Sequence, residues 1–159
     1  MKRSKHSLSH YNLLTADMGR MVVAGNYEVL PGDTIQHRTS ALIRLAPQAA
    51  PVMHPVTARF HTFFCPYRLV MGTEFGDESN FEEFITGGKD GTNSATVPKI
   101  TVDFATHGGE HTGSLLDYFG IPPDSDGLEV SALAFRAFWL TYEEYYADQD
   151  LVTVPRPGS

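Results

Sequence analysis

Hydrophobic and polar residues alternate over residues 34–45, and most of the apolar ones occupy the odd-numbered positions from Ile35 to Leu45. A period of two over this length predicts a β-strand with one drier face. Residues 56–65 and 99–105 carry two further strand patterns. Short strands separated by turn residues favour an antiparallel arrangement over parallel α/β units.

Two short helices are predicted from their end signals. Ser79 and Glu82 have the spacing of a capping box, and the glycines at 87–88 mark the end of that helix. A second, shorter helix is predicted to begin at Ser114 and to end at Gly120. Both helices fall in the connections between predicted strands.

The longest predicted helix covers residues 131–147, where aromatic residues recur at i, i+3, i+4 and i+7. Such a stripe is normally part of a core or an interface, far more often than part of a cofactor site. This aromatic stripe consists of Phe135, Phe138, Trp139, Tyr142, Tyr145 and Tyr146.

These patterns predict a mainly β chain, an antiparallel sandwich or jelly roll with helical and loop insertions. A turn is predicted at residues 31–33. We expect a basic N-terminal arm, residues 1–12, followed by one domain over residues 13–159. Its insertions are residues 71–98, with a helix and an exposed loop, and residues 106–150, with a loop and the aromatic helix.

The apolar connector between the first two predicted strands, Ala46 to Pro55, holds three prolines and no charged residue. Proline removes a backbone donor and fixes φ, so this segment is less costly to bury than an ordinary loop. We expect the connector and the aromatic stripe to contact other copies of the chain. The predicted interface residues are Pro47, Pro51, Val52, Met53, His54 and Pro55 of the connector, with Phe135, Phe138, Trp139 and Tyr142 of the stripe.

Composition and charge narrow the classes of partner. No run approaches the roughly 18 apolar residues that a membrane helix needs, so we expect no membrane insertion. The formal charge is −7, and a mostly acidic body argues against broad electrostatic capture of nucleic acid. Lys2, Arg3 and Lys5 nevertheless form a basic head that is able to contact phosphates. The alternative is a frayed terminus without function.

One short motif suggests metal chemistry. His107, Glu110 and His111 match the H-x-x-E-H pattern of a group of zinc proteases, which requires a helix. Two glycines occupy the interior of the motif and disfavour that helix by about 1 kcal/mol each.

A second candidate metal set is His54, His61 and Cys65. His61 and Cys65 share one face of a strand but lie roughly 13 Å apart, too far for one zinc ion, and we expect His54 to hydrogen-bond a carbonyl of the connector. We find no active site and expect no cofactor.

A resemblance to a known family emerges from five ordered blocks. Residues 28–70, EVLPGDTIQHRTSALIRLAPQAAPVMHPVTARFHTFFCPYRLV, closely resemble the opening region of the major capsid protein of microviruses, nearest to gokushovirus-like members. LTADMGRMVVAG, FEEFITGG, GSLLDYFGIP and ALAFRAFWLTYEEYYADQDL are similar to further blocks of that family in the same order.

The resemblance implies a viral jelly roll, incomplete in this chain, since family members continue beyond the last block. It implies a T=1 icosahedral shell around the circular single-stranded DNA of a tailless bacteriophage, with no enzymatic role. The implied partners are other copies, the DNA genome, a small DNA-packaging protein, a pilot protein and a host surface receptor. The implied location is the virion, assembled in the bacterial host cytoplasm.

Two alternatives stay open from the residues alone. The first is a metal-dependent hydrolase that uses His107, Glu110 and His111, which stoichiometric zinc would favour. The second is a β-sandwich module that binds carbohydrate through exposed aromatic residues such as Trp139 and Tyr145. Burial of the aromatic stripe would count against this second alternative.

Overall fold

The computed structural model divides into two compact units. The larger unit consists of Met1–Asn26 and Cys65–Ser159, and the smaller unit is Tyr27–Phe64. The structure describes residues 4–72, 79–88, 95–103, 112–122, 125–148 and 150–151.

All regular elements of the described residues belong to the larger unit. They are a 3-10 turn at Tyr67–Leu69, α1 at Ser79–Thr86, β1 at Lys99–Thr101, α2 at Leu115–Tyr118, β2 at Glu129–Ser131 and α3 at Leu133–Tyr145.

Glycines end the first predicted helix where the sequence indicates. Gly87 and Gly88 have φ of +78° and +81°, a conformation that glycine adopts without a steric penalty. Their N–H groups donate to the carbonyl of Glu83 at 3.0 and 3.1 Å and satisfy the end of α1. The helix prediction is confirmed, whereas the side chain of Ser79 lies outside the described residues.

A reciprocal cap begins the second predicted helix. The backbone N–H of Asp117 donates to the Ser114 hydroxyl at 3.3 Å, and the Asp117 carboxylate accepts from the N–H of Gly113 at 2.8 Å. Gly120, with φ of +80°, follows the last turn. The predicted start and end of α2 are therefore confirmed.

We expect Ser114→Ala to lower the free energy of unfolding by about 1 kcal/mol, because the N–H of Asp117 loses its acceptor. Urea unfolding followed by Trp139 fluorescence measures the change. Ser114→Thr retains the hydroxyl and is expected to stay close to the wild-type value. Equal losses in both variants would show that the hydroxyl does not stabilise α2.

Two short antiparallel strands form the sheet of the larger unit. Lys99 pairs with Ser131, Ile100 with Val130 and Thr101 with Glu129. The ladder is shorter than the predicted strand over 99–105, whose last two residues lie outside the described ones. The strand β2 is a finding, because its residues 129–131 carry no strand pattern long enough to be recognised.

The N-terminal half of α3 packs into the core of the larger unit. Phe135 is 6% exposed, and its ring lies 4.5 Å from the ring of Phe119. Arg136 donates from Nη1 to the carbonyl of Val70 at 3.1 Å and also to the carbonyl of Gly72. The buried hydrophobic residues of the described chain are Val70, Met71, Ala95, Val102, Ala132 and Phe135.

The smaller unit contains a tight turn near its beginning. The N–H of Asp33 donates to the carbonyl of Leu30 at 3.0 Å, and Gly32 adopts φ of +90°. Proline at the second position and glycine at the third are the signature of a type II turn. The predicted turn is confirmed, and the rings of Tyr27 and His37 lie 5.9 Å apart across it.

No strand is assigned within residues 27–64, although the sequence predicts strands over 34–45 and 56–65. Alternate side chains nevertheless contact each other. Thr39 Oγ1 lies 3.1 Å from His37 Nε2, and the rings of His61 and Phe63 are 6.2 Å apart. Such i,i+2 contacts are typical of extended backbone, but a strand also requires a hydrogen-bonded neighbour. The two strands and the jelly roll therefore stay predictions.

Candidate interaction surfaces

The apolar connector is exposed throughout its length. All ten residues from Ala46 to Pro55 are exposed, with Val52 at 45% and Met53 at 88%. The sequence predicts burial, and the smaller unit by itself does not bury this segment. Burial of the connector between copies stays a prediction for all of its interface residues, including Pro47, Pro51 and His54.

Exposed large hydrophobic side chains also occur on both sides of the connector in the sequence of the smaller unit. Soluble monomers rarely expose contiguous apolar patches larger than a few hundred Å². The smaller unit therefore presents side chains of the kind that another part of a protein normally covers. Its large hydrophobic residues that are at least 38% exposed are Tyr27, Val29, Leu30, Ile35, Leu42, Ile43, Leu45, Val52, Met53, Val56, Phe60, Phe63 and Phe64.

The aromatic stripe of α3 is divided between core and surface. Phe135 is buried in the core of the larger unit, and the assignment of this and the other stripe residues to a subunit interface stays a prediction. Phe138, Trp139 and Tyr142 are half-buried and contact each other edge to face, with ring centroids 6.2 and 6.0 Å apart. Tyr145 is 69% exposed, so only the last turn of the stripe faces outward.

The segment that follows the N-terminal arm is attached to α2. Lys5 is exposed, and Lys2 and Arg3 lie outside the described residues. The Tyr118 hydroxyl donates to the carbonyl of Thr15 at 2.7 Å, which connects the segment after the arm to the helix. A cleft of about 390 Å³ lies beside this contact. A role of the basic head in binding DNA stays a prediction.

The metal-binding hypotheses gain no support. His107, Glu110 and His111 lie outside the described residues. Within the part of the chain that the structure describes, no three His, Cys, Asp or Glu side chains are placed to hold a metal ion. Burial raises the pKa of the Cys65 thiol, which favours a neutral, weakly nucleophilic side chain.

No helix in the described ranges is both long enough and apolar enough to cross a bilayer.

Comparisons with known proteins identify the family. The family described as "Capsid protein (F protein)" matches residues 1–154. Capsid protein VP1 of Bdellovibrio phage phiMH2K is 41% identical over 128 residues, which are 79% of this chain and 22% of that protein. Capsid protein VP1 of Chlamydia phage 1 is 35% identical over 159 residues, 95% of this chain and 25% of that protein.

A more distant relative extends the same pattern. Capsid protein VP1 of Spiroplasma virus 4 is 27% identical over 149 residues, 94% of this chain and 26% of that protein. The chain thus spans about a quarter of the length of these curated relatives. No solved structure matches significantly. The resemblance drawn from five sequence blocks is confirmed, and the chain belongs to the phage capsid protein (F protein) family.

Proposed function

We propose that the chain is the N-terminal part of a structural capsid subunit, which assembles with copies of itself into the shell of a microvirus. The proposal is supported by the family match over residues 1–154 and by relatives that are named capsid protein VP1. A structural role without enzymatic activity agrees with this family. Neither the hydrolase nor the carbohydrate-binding alternative is supported by the comparisons.

The observation that carries the proposal is the uncovered apolar surface of the smaller unit. Burial of such side chains is favourable by roughly 25 cal/mol per Å² of apolar area. A subunit that is surrounded by copies of itself, and by the rest of its own polypeptide, is able to cover this surface. The connector is suited to such burial because its three prolines leave fewer N–H groups without partners.

A jelly roll is the fold that we propose for the complete subunit. The support is the period-two pattern over residues 34–45, the type II turn at residues 30–33 and the i,i+2 contacts at His37 and His61. An extended segment becomes a stable strand when neighbours supply ladder hydrogen bonds. Further parts of the subunit would supply those neighbours.

The proposal extends to the particle as a whole. We infer a T=1 shell around circular single-stranded DNA, with Lys2, Arg3 and Lys5 directed toward the genome. A DNA-packaging protein, a pilot protein and a host receptor are the further partners that such a particle requires. The subunit would be found in the virion after assembly in the host cytoplasm.

Sedimentation and electron microscopy of the complete gene product test the assembly. We expect large, closed shells, and we expect Met53→Asp to raise the protein concentration needed for assembly by more than about tenfold, because a carboxylate would be desolvated in the interface. Tyr11→Asp is the matched control, since Tyr11 is 89% exposed and lies outside the connector.

Results for the wild type and for Met53→Asp test the proposed function and the proposed interface separately. A stable monomer of the complete wild-type protein would contradict the proposed function. Normal assembly of Met53→Asp would contradict only the assignment of the connector to the interface.

A further inference from the structure

The hydrogen bonds at the two ends of the β1–β2 ladder establish which backbone groups of β1 face β2. The N–H of Ala132 donates to the carbonyl of Pro98 at 2.8 Å, and the N–H of Val102 donates to the carbonyl of Leu128 at 2.9 Å. Hydrogen-bonded pairs occur at every second residue of an antiparallel ladder, so Ile100 belongs to the hydrogen-bonded pair between these two. The even-numbered positions of β1 therefore bond to β2.

The odd-numbered positions of β1 direct their backbone groups away from β2. These positions are Lys99 and Thr101, and both residues are exposed. Within the described part of the chain, no backbone hydrogen bond reaches their N–H and C=O groups from the side opposite β2. We call this side of β1, at residues 99–101, the open edge. An open edge is a template for a further strand, and two strands alone are marginally stable in water.

The side chains of β1 do not oppose the addition of a strand. A lysine on an edge strand often prevents pairing with another chain. Here Nζ of Lys99 lies 2.9 Å from Oε2 of Glu129 on β2, so its charge has a partner within the same sheet. Ile100 is half-buried on the opposite face, where Val102 is 1% exposed. A strand of the same sequence at the open edge would therefore extend both the polar face and the apolar face.

We propose that the open edge of one copy pairs with the open edge of a second copy, antiparallel and across a two-fold axis. This proposal rests on the proposed function, since it names one contact by which copies assemble. Pairing centred on Ile100 places Lys99 opposite Thr101 of the second copy, and Thr101 opposite Lys99. Each of these two pairs exchanges two N–H···O=C bonds, so the contact contains four hydrogen bonds.

The pairing is self-complementary, as a two-fold contact requires. Each lysine lies opposite a threonine, so no like charges face each other directly. The two Ile100 residues form a non-hydrogen-bonded pair, in which side chains approach most closely. A contact of three residues in each copy is weak by itself, and it is strengthened when neighbouring contacts already hold the copies together in a shell.

Two other arrangements are less favourable. The outer side of β2 is also an edge, but β2 ends at Ser131 because α3 begins at Leu133, whereas the strand pattern of β1 continues to residue 105. A strand from elsewhere in the same subunit is the other candidate occupant of the open edge. The match of residues 99–101 with themselves favours a second copy.

Proline substitutions in the complete gene product test the open edge. Thr101→Pro removes an outward N–H and leaves the ladder with β2 intact, because position 101 does not donate to β2. We expect shells to need a more than about tenfold higher protein concentration, since each contact loses two of its four hydrogen bonds. Ser131→Pro is the matched control, because it removes an outward N–H of β2 and should assemble as the wild type does. Circular dichroism verifies that both variants are folded.

An engineered disulfide tests the two-fold axis directly. Ile100→Cys, with Cys65 replaced by serine, places two thiols opposite each other at the centre of the contact, within the Cα separation of 4.4–6.8 Å that disulfides adopt. We expect oxidised shells to yield covalent dimers after denaturation without reductant. Val130→Cys in the same background is the control at the equivalent position of β2, and it should yield monomers.

The results distinguish this contact from the proposed function. Normal assembly of Thr101→Pro, or shells of Ile100→Cys without covalent dimers, would overturn the proposal and leave the proposed function intact. Protection of the Thr101 amide from hydrogen exchange in the unassembled subunit would assign the open edge to the same polypeptide and overturn the proposal as well. If both proline variants fail to fold, the yield of dimers from Ile100→Cys decides. Failure of the wild-type protein to assemble would instead contradict the proposed function.

Discussion

Phe135→Ala is expected to lower the free energy of unfolding by about 3–5 kcal/mol, the largest loss that we expect from any single substitution in α3. Phe135 is 6% exposed and contacts the ring of Phe119 at 4.5 Å, with the two planes inclined by 50°. Removing the ring leaves a cavity beside Ala132, which is itself buried, and the neighbouring backbone is held by hydrogen bonds. The expected loss therefore combines the free energy of transferring the ring out of water with the cost of the cavity that remains.

Urea unfolding of the 159-residue chain, followed by the fluorescence of Trp139, measures this loss, because Trp139 is its single tryptophan and lies one turn along α3. Phe135→Leu retains most of the volume and should cost less than about 1.5 kcal/mol. Tyr145→Ala removes a ring that is 69% exposed and should change stability by less than about 0.5 kcal/mol. A loss at Phe135 no larger than that at Tyr145 would contradict the assignment of Phe135 to the core.

Local signals predict those elements that depend on neighbouring residues. The Ser114 hydroxyl lies within three residues of its donor, and the turn at residues 30–33 is determined by adjacent proline and glycine. Glycine at 87 ends α1 because it adopts a positive φ. Each of these features results from contacts within one or two turns of chain, so the sequence contains the information needed to predict it.

Strand pairing depends on residues far away in the chain. Lys99 pairs with Ser131 across 32 positions, and the three residues of β2 carry too short a pattern to be recognised. The strand pattern over residues 34–45 predicts which side chains share a face but not which segment supplies the ladder. The sequence therefore predicts β character in the smaller unit without specifying the sheet.

The candidate interface shows the same difference between what local patterns predict and what depends on distant residues. Three prolines predict that the connector is less costly to bury, but they do not identify the surface that covers it. The spacing of the aromatic stripe predicts one face, yet it does not distinguish the buried Phe135 from the exposed Tyr145. That distinction depends on Phe119 and on the segment around Val70, which are distant in sequence.

Arg136 is the residue that pattern reasoning missed. Its guanidinium donates to the carbonyls of Val70 and Gly72, which lie 66 and 64 positions away. One signal was present in the sequence: no carboxylate occupies the positions three or four residues before or after Arg136. An arginine without an i,i+4 partner inside an aromatic helix indicates acceptors elsewhere in the fold.

Arg136→Met is expected to destabilise the chain by about 2–5 kcal/mol, because two carbonyls near the core lose their donor at once. Methionine retains an unbranched apolar stem, so the comparison isolates the hydrogen bonds from the packing. The Arg136 guanidinium is partly buried in the folded chain, and this desolvation of the charged form lowers its pKa. Removing that charge recovers part of the desolvation free energy, and the measured loss should therefore fall in the lower half of the range.

Arg136→Lys keeps the positive charge and changes the position of the hydrogen-bond donors. Nη1 of Arg136 donates to both carbonyls, and the lysine ammonium group lies closer to the backbone than Nη1 does, so it should reach only one of them and about half of the loss should persist. The guanidinium stays protonated near neutral pH in both states, so the difference between wild type and Arg136→Met should not vary with pH there. Urea unfolding through Trp139 fluorescence measures all three proteins. If Arg136→Met were as stable as the wild type, desolvation of the charge would offset both hydrogen bonds, and the connection between α3 and residues 70–72 would be maintained by apolar packing alone.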